Sequence, residues 1–204
     1  MSTATGTWAQ RHVAALAIFM SRVAGWLYVL CAVMIVFDVV ARNLFAFSTQ
    51  ATVELSGYAL GCGIAWGLAG AFVARMHVRV DMLLERLPGT PRAWLHLMAL
   101  ALLTAFLIAV VYGVGMLAWD SWELDSHDMS ALRIPLWVPQ SVFGLGILVF
   151  FAAVLITLSD VIRHLLRGDL QAVNQQMRQK SASEEAAEAI EASHGGANHP
   201  AEVR

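Results

Sequence analysis

Three ionisable residues, Asp38, Arg42 and Glu54, stand inside or at the edge of long apolar runs, where a charge is costly and therefore informative. Asp38 and Arg42 are four apart, the spacing that puts two side chains on one helix face. Glu54 opens the next apolar run at the level where Arg42 closes the previous one, so an Arg42–Glu54 contact across the hairpin is within reach. Two kinds of chemistry fit. An acid in a membrane span can relay protons or ions. Alternatively, an ion pair can fix two helices to each other or to a partner subunit. Both signs of charge are present and lie near a membrane surface, which favours the structural role.

Other chemistry finds little to build on. A four-helix haem protein needs histidines within its spans as axial ligands. Only His96 is close to one, at its start, where an interfacial role is expected. His77 can pair with Asp81, but no further ligand follows at metal-binding spacing. His194 and His199 are too sparse for a metal tract. Cys31 and Cys62 form no C-x-x-C pair and read as small apolar residues. No phosphate-binding loop, nucleophile elbow or dinucleotide-binding glycine pattern occurs. The expectation is therefore no enzyme, with no catalytic, cofactor-binding or metal residues.

The elements that carry Asp38, Arg42 and Glu54 must be membrane helices. Of the 204 residues, 58% are hydrophobic and 14% charged. A soluble domain carries about a quarter charged residues. The net charge of −2 leaves no basic footprint for nucleic acid. About 20 apolar residues cross a bilayer, and four stretches qualify: about 23–45, 52–74, 93–118 and 134–158. None has a strand period, and a lone segment in lipid must satisfy its own backbone hydrogen bonds, so the fold class is an all-α integral membrane protein with four transmembrane helices. Glycines Gly57, Gly61, Gly63 and Gly67 on the second span form two small-xxx-small pairs suited to close helix packing.

Basic residues set the orientation. Arg11 and Arg22 precede span one, Arg75, Arg79, Arg86 and Arg92 lie between spans two and three, and Arg163, Arg167, Arg178 and Lys180 follow span four. By the positive-inside rule, both termini and the middle loop are expected in the cytoplasm. The short loop at 46–51 and the acidic loop with Asp120, Glu123, Asp125 and Asp128 then face outward. Trp119, Trp122 and Trp137 suit an outer aromatic belt, and Trp94 an inner anchor.

The remaining segments divide by composition. Residues 1–22 read as a cytoplasmic N-terminal segment, without the short apolar core and cleavage site of a signal peptide. In the middle loop, Val80, Leu83, Leu84 and Leu87 recur at helical spacing, which predicts a short amphipathic helix in the membrane interface, ended by the Pro88–Pro91 turn. Residues 168–204 are polar and lack aromatics, as a disordered cytoplasmic tail would be.

These pieces together resemble the small membrane subunit (DctQ type) of tripartite ATP-independent periplasmic, or TRAP, transporters. The resemblance rests on Arg42 closing span one and Glu54 opening span two. It rests further on His77-Val78-Arg79-Val80-Asp81 followed by Leu87-Pro88, and on Ser130-Ala131-Leu132-Arg133-Ile134-Pro135-Leu136-Trp137 entering span four. It covers residues 22–167. One departure is the run Pro139-Gln140-Ser141-Val142-Phe143-Gly144, where the family has a proline-x-glycine step. The resemblance implies a scaffold in a bacterial inner membrane, bound to a large (M-type) membrane subunit and working with a periplasmic binding protein. That system imports organic acids on a sodium gradient. Asp38, Arg42, Glu54, His77, Arg79, Asp81, Pro135 and Trp137 are then candidates for structural or partner contacts. Two rivals stand beside it: a self-sufficient proton-coupled transporter using Asp38, and a membrane oxidoreductase subunit.

Overall fold

The computed structural model describes residues 8–45, 51–74, 89–129 and 132–167. They form four α-helices: α1 (Trp8–Phe45), α2 (Thr52–Val73), α3 (Gly89–Glu123) and α4 (Trp137–Leu166). All four are long and apolar enough to cross a membrane. The helices alternate in direction. Phe45, Thr52, Glu123 and Trp137 therefore gather at one end, here the hairpin end, and Trp8, Val73, Gly89 and Leu166 at the other, here the terminal end.

Three of the four helices are longer than the expected spans, while α2 matches its span. At 1.5 Å per residue α2, with 22 residues, is about 33 Å long, close to the hydrocarbon thickness of a bilayer. With 38 residues α1 is about 57 Å long, and α3, with 35, about 52 Å. The helix of α1 starts at Trp8, well before the expected span at 23. Residues Ala9, Ala14, Ala15 and Ala17 are strong helix formers, and no proline or glycine interrupts the chain between Trp8 and Gly25. The start of α3 is a second difference. Gly89, Thr90 and Pro91, expected in a turn, lie in its first helical turn. Proline is tolerated there because the first N–H groups have no partner within the helix. The expected amphipathic helix in the middle loop and the polar tail at 168–204 lie outside the described residues, as does most of the 46–51 loop.

Helix α4 is the hub: α1 and α2 pack on one side of it and α3 on the other. The core joins Ile147, Phe150, Val154 and Val161 of α4 to Ala65 and Ala69 of α2, Leu100 and Leu107 of α3, and Ala17 and Met20 of α1. Phe72 meets Phe150 edge to face with ring centroids 5.6 Å apart. His96, expected at the interface, is instead only 1% exposed, because it sits one turn before Leu100 on the α3 face that packs inward. At the terminal end the amide of Gln10 donates to the carboxylate of Asp160, tying the start of α1 to the end of α4.

Close approach between helices relies on fewer glycines than the small-xxx-small spacing suggested. A methyl on Gly63 would meet the ring of Tyr28 at 2.5 Å, and one on Gly70 would meet Cβ of Ser21 at 2.5 Å. These two, seven residues apart on α2, carry the α1–α2 contact. Gly57, Gly61 and Gly67 face open space. The operative spacing is one full heptad on the α1-facing side, because α2 turns only that stripe toward its neighbour.

Candidate functional site at the hairpin end

Most of the described ionisable groups anticipated from the sequence lie at the hairpin end. Asp38 is only 2% exposed, although it carries a carboxylate. Its Oδ2 accepts from Nη2 of Arg42 at 2.6 Å, as the four-residue spacing predicts. The pair is asymmetric, since the Arg42 side chain is 63% exposed. Hence the carboxylate is drawn into the bundle while the guanidinium covers it from outside. No Arg42–Glu54 hydrogen bond or ion pair is found among the described residues, because Arg42 turns back along its own helix. Glu54 sits in the first turn of α2, where a carboxylate is favoured by the helix dipole. Its Oε2 is enclosed and accepts no hydrogen bond from the described residues.

One turn further along α2, Tyr58 makes a contact that sequence reading missed. Its hydroxyl donates to Oδ2 of Asp128 at 2.5 Å, bridging α2 to the α3–α4 connection. A search for polar residues four after Glu54 would have nominated Tyr58. Nothing local names a partner 70 residues away.

The described residues on the two sides of the α3–α4 connection, 124–129 and 132–136, pair with each other. The N–H of Asp128 donates to the carbonyl of Ile134, and that of Leu136 to Ser126, both at 3.0 Å, around an isolated bridge between His127 and Pro135. Closing so short a ring needs sharp reversals, and Asp125 and Arg133 adopt the left-handed region at φ 47° and 45°. Nδ1 of His127 lies 2.7 Å from the carbonyl of Asp125. His127, Asp128, Met129 and Arg133 line an open depression on this loop. Trp137, at the start of α4, meets Trp122 of α3 edge to face at 4.9 Å. Pro135 and Trp137 therefore both close the loop, Pro135 through backbone pairing and Trp137 through its ring. His77, Arg79 and Asp81 lie outside the described residues.

The arrangement can hold a shape and present charges at a membrane surface. Among the described residues no group of three or more His, Cys, Asp or Glu side chains is placed to hold a metal ion. The tyrosine contact gives a test. Tyr58→Phe removes one charge-assisted hydrogen bond and should cost about 1 kcal/mol, within the range for hydrogen bonds to charged groups after discounting for partial exposure. Limited proteolysis at the 124–136 connection should quicken in step. Asp128→Asn on top of Tyr58→Phe should add little, since the two share one bond; additive losses would argue against it.

Across residues 31–167 the chain matches the model of the family described as tripartite ATP-independent periplasmic transporters, DctQ component. That stretch takes in the last part of α1, from Cys31, and all of α2, α3 and α4. No curated protein matches the chain, and no solved structure does.

Proposed function

This chain belongs to the DctQ component of the tripartite ATP-independent periplasmic transporters, and on that basis we propose that it is the fixed scaffold of a sodium-driven importer of organic acids. The family is the small membrane component of these transporters in the bacterial inner membrane, which suits four apolar spanning helices. In the proposed arrangement a periplasmic binding protein delivers the acid, and a large membrane subunit moves it inward. This chain holds that subunit at a fixed depth and takes no part in substrate or sodium binding, and it catalyses no reaction.

The observation that carries the scaffold role is continuity. Secondary transporters build substrate sites near the bilayer midplane from broken helices whose free ends face the ligand. Here the described helices run unbroken for 22 to 38 residues. The charged side chains Asp38, Arg42 and Glu54 sit near one membrane surface, with Asp38 already engaged by Arg42. The basic residues at the termini and in the middle loop support a cytoplasmic location for both.

Uptake in proteoliposomes tests the reading. This chain, the large subunit and both together would be compared with the binding protein, a panel of organic acids and an inward sodium gradient. Uptake should need both membrane chains. Uptake by this chain alone would overturn the scaffold role and return attention to Asp38.

A further inference from the structure

Helices α3 and α4 approach closely at Gly144, where an added Cβ would stand 3.2 Å from Cγ1 of Val114. Beside this contact they leave a slot of about 320 Å³. Val111, Val114, Gly115 and Ala118 line it from α3, and Gly144 and Leu148 from α4. The space exists because the side chains along it are small. A Cβ on Gly115 would meet nothing within 4 Å, and Ala118, Ser141 and Gly144 add little bulk. Ile147, only 5% exposed, lines the slot from the core. The exposed apolar face of a single helix is convex, and a lipid chain lying on it has protein on one side. A chain in this slot has two helices around it and makes more van der Waals contacts.

The size of the slot selects its occupant. The lining runs from Ala118 to Val111 on α3 and from Ser141 to Leu148 on α4, seven residues along each, or about 11 Å. A volume of 320 Å³ over that length leaves a cross-section of about 30 Å². A helix about 10 Å across with its side chains covers about 80 Å². A partner helix is therefore too wide to enter, whereas one extended hydrocarbon chain fits.

The two ends of the slot differ in chemistry. Trp122 and Trp137 meet edge to face beside the Ala118–Ser141 end. Trp119 and Trp122 are 65% and 61% exposed, and exposed tryptophans at the end of a membrane helix mark the headgroup level. Gln140 lines the slot at this end. Its Oε1 is enclosed and receives no hydrogen bond from the described residues. The neighbouring Ser141 is already engaged, its hydroxyl donating to the carbonyl of Trp137 at 2.6 Å. A turn of the Gln140 amide about its last bond brings the unpartnered acceptor to the mouth. The other end, at Val111 and Leu148, is apolar. The matching occupant donates a hydrogen bond at the tryptophan level and is hydrocarbon below it, which is the build of a phospholipid.

We infer that the α3–α4 slot holds one acyl chain of a phospholipid whose headgroup donates a hydrogen bond to Oε1 of Gln140. The lipid then fills the gap between the two helices and stays with the chain instead of exchanging with the surrounding bilayer.

The test uses the complete chain, purified from vesicles of phosphatidylethanolamine and phosphatidylglycerol, with the lipid kept through detergent exchange counted by native mass spectrometry. The wild-type chain should keep one phospholipid. Gly115→Leu fills the slot from a position where a Cβ meets open space, and should lose most of that lipid. Gly113→Leu, on the same helix and equally open but outside the slot, should keep it. Vesicles of phosphatidylcholine, whose headgroup has no donor, should give about fivefold less retention, the worth of one hydrogen bond, and Gln140→Leu should erase that difference. In the unaltered chain, a phospholipid with a photoreactive acyl chain should label Val114, Gly115 and Leu148 above Leu30 of α1 and Leu102 of α3. A photoreactive free fatty acid should label them weakly. Equal retention by Gly115→Leu and Gly113→Leu, or labelling spread evenly over the exposed faces, would overturn the slot as a lipid site. Equally strong labelling by the fatty acid, or equal retention of phosphatidylcholine, would overturn the headgroup contact at Gln140.

Discussion

Arg42→Ala should destabilise the bundle more than Asp38→Ala, although the two residues form one ion pair. The asymmetry follows from burial: Asp38 is 2% exposed and the Arg42 side chain 63%. Removing the arginine takes a guanidinium away from a carboxylate held inside the bundle. Breaking a buried pair in this way costs about 3–5 kcal/mol, and partial exposure of the guanidinium reduces that to about 2–3 kcal/mol. Removing the aspartate leaves an arginine near the membrane surface that can turn to water or headgroups, at about 1 kcal/mol. Asp38→Asn combined with Arg42→Ala removes the buried charge as well, so the double variant should recover much of the loss. Thermal unfolding in detergent, followed by tryptophan fluorescence, reads all four forms. Equal losses from the two single variants, or no recovery in the double, would show that the pair does not hold this end together.

That pair was legible in the sequence because a helix makes residues four apart neighbours whatever the tertiary fold. The same reasoning missed at Arg42–Glu54. Being adjacent in level across a hairpin does not decide which partner a flexible guanidinium takes, and the carboxylate on its own helix is already in place. The four membrane helices were readable for an equally local reason. Length and hydropathy suffice where the solvent forbids unpaired backbone groups. What was not readable is which face of each helix turns inward. The glycines of α2 illustrate this. Five occur in the helix, and spacing nominated Gly57 with Gly61 and Gly63 with Gly67, yet only Gly63 and Gly70 receive α1. Small size permits close approach without specifying a neighbour. His96 misled in the same way: its place at the start of a span suggested an interface, and it is instead buried. At the hairpin end the acidic loop was visible as charge, while its closure through Tyr58–Asp128 and the His127–Pro135 bridge depends on contacts between distant segments.

Gly146 is the position where a single methyl should do most damage. It sits on the hub helix α4 opposite α2, and an added Cβ would stand 2.5 Å from Cδ1 of Trp66, 2.9 Å from the backbone carbon of Ala65 and 3.0 Å from its Cβ. Trp66 cannot simply swing aside, because its ring N–H donates to the carbonyl of Val142 at 2.9 Å. The Ala65 backbone is part of a helix and moves only if α2 moves as a whole. In a membrane, helices are held by close packing and interhelical hydrogen bonds rather than by exclusion of water, so separating α2 from α4 loses the main attraction between them. Gly146→Ala should therefore cost about 1–3 kcal/mol, the range for overpacking, with Gly146→Leu beyond that range. Gly57→Ala on α2, which meets open space, should change stability by less than about 0.5 kcal/mol. Moreover, α3 makes its main helix contact with α4, so the Gly146 variants should loosen α2 and α1 while the α3–α4 pair with its Trp122–Trp137 contact persists. Unfolding in detergent followed by the Trp66 environment and by cysteine accessibility at Cys62, which faces the carbonyl of Pro139 on α4, separates these outcomes. Faster labelling of Cys62 in Gly146→Ala than in Gly57→Ala is the expected result, and equal labelling would mean that α2 and α4 do not depend on this contact.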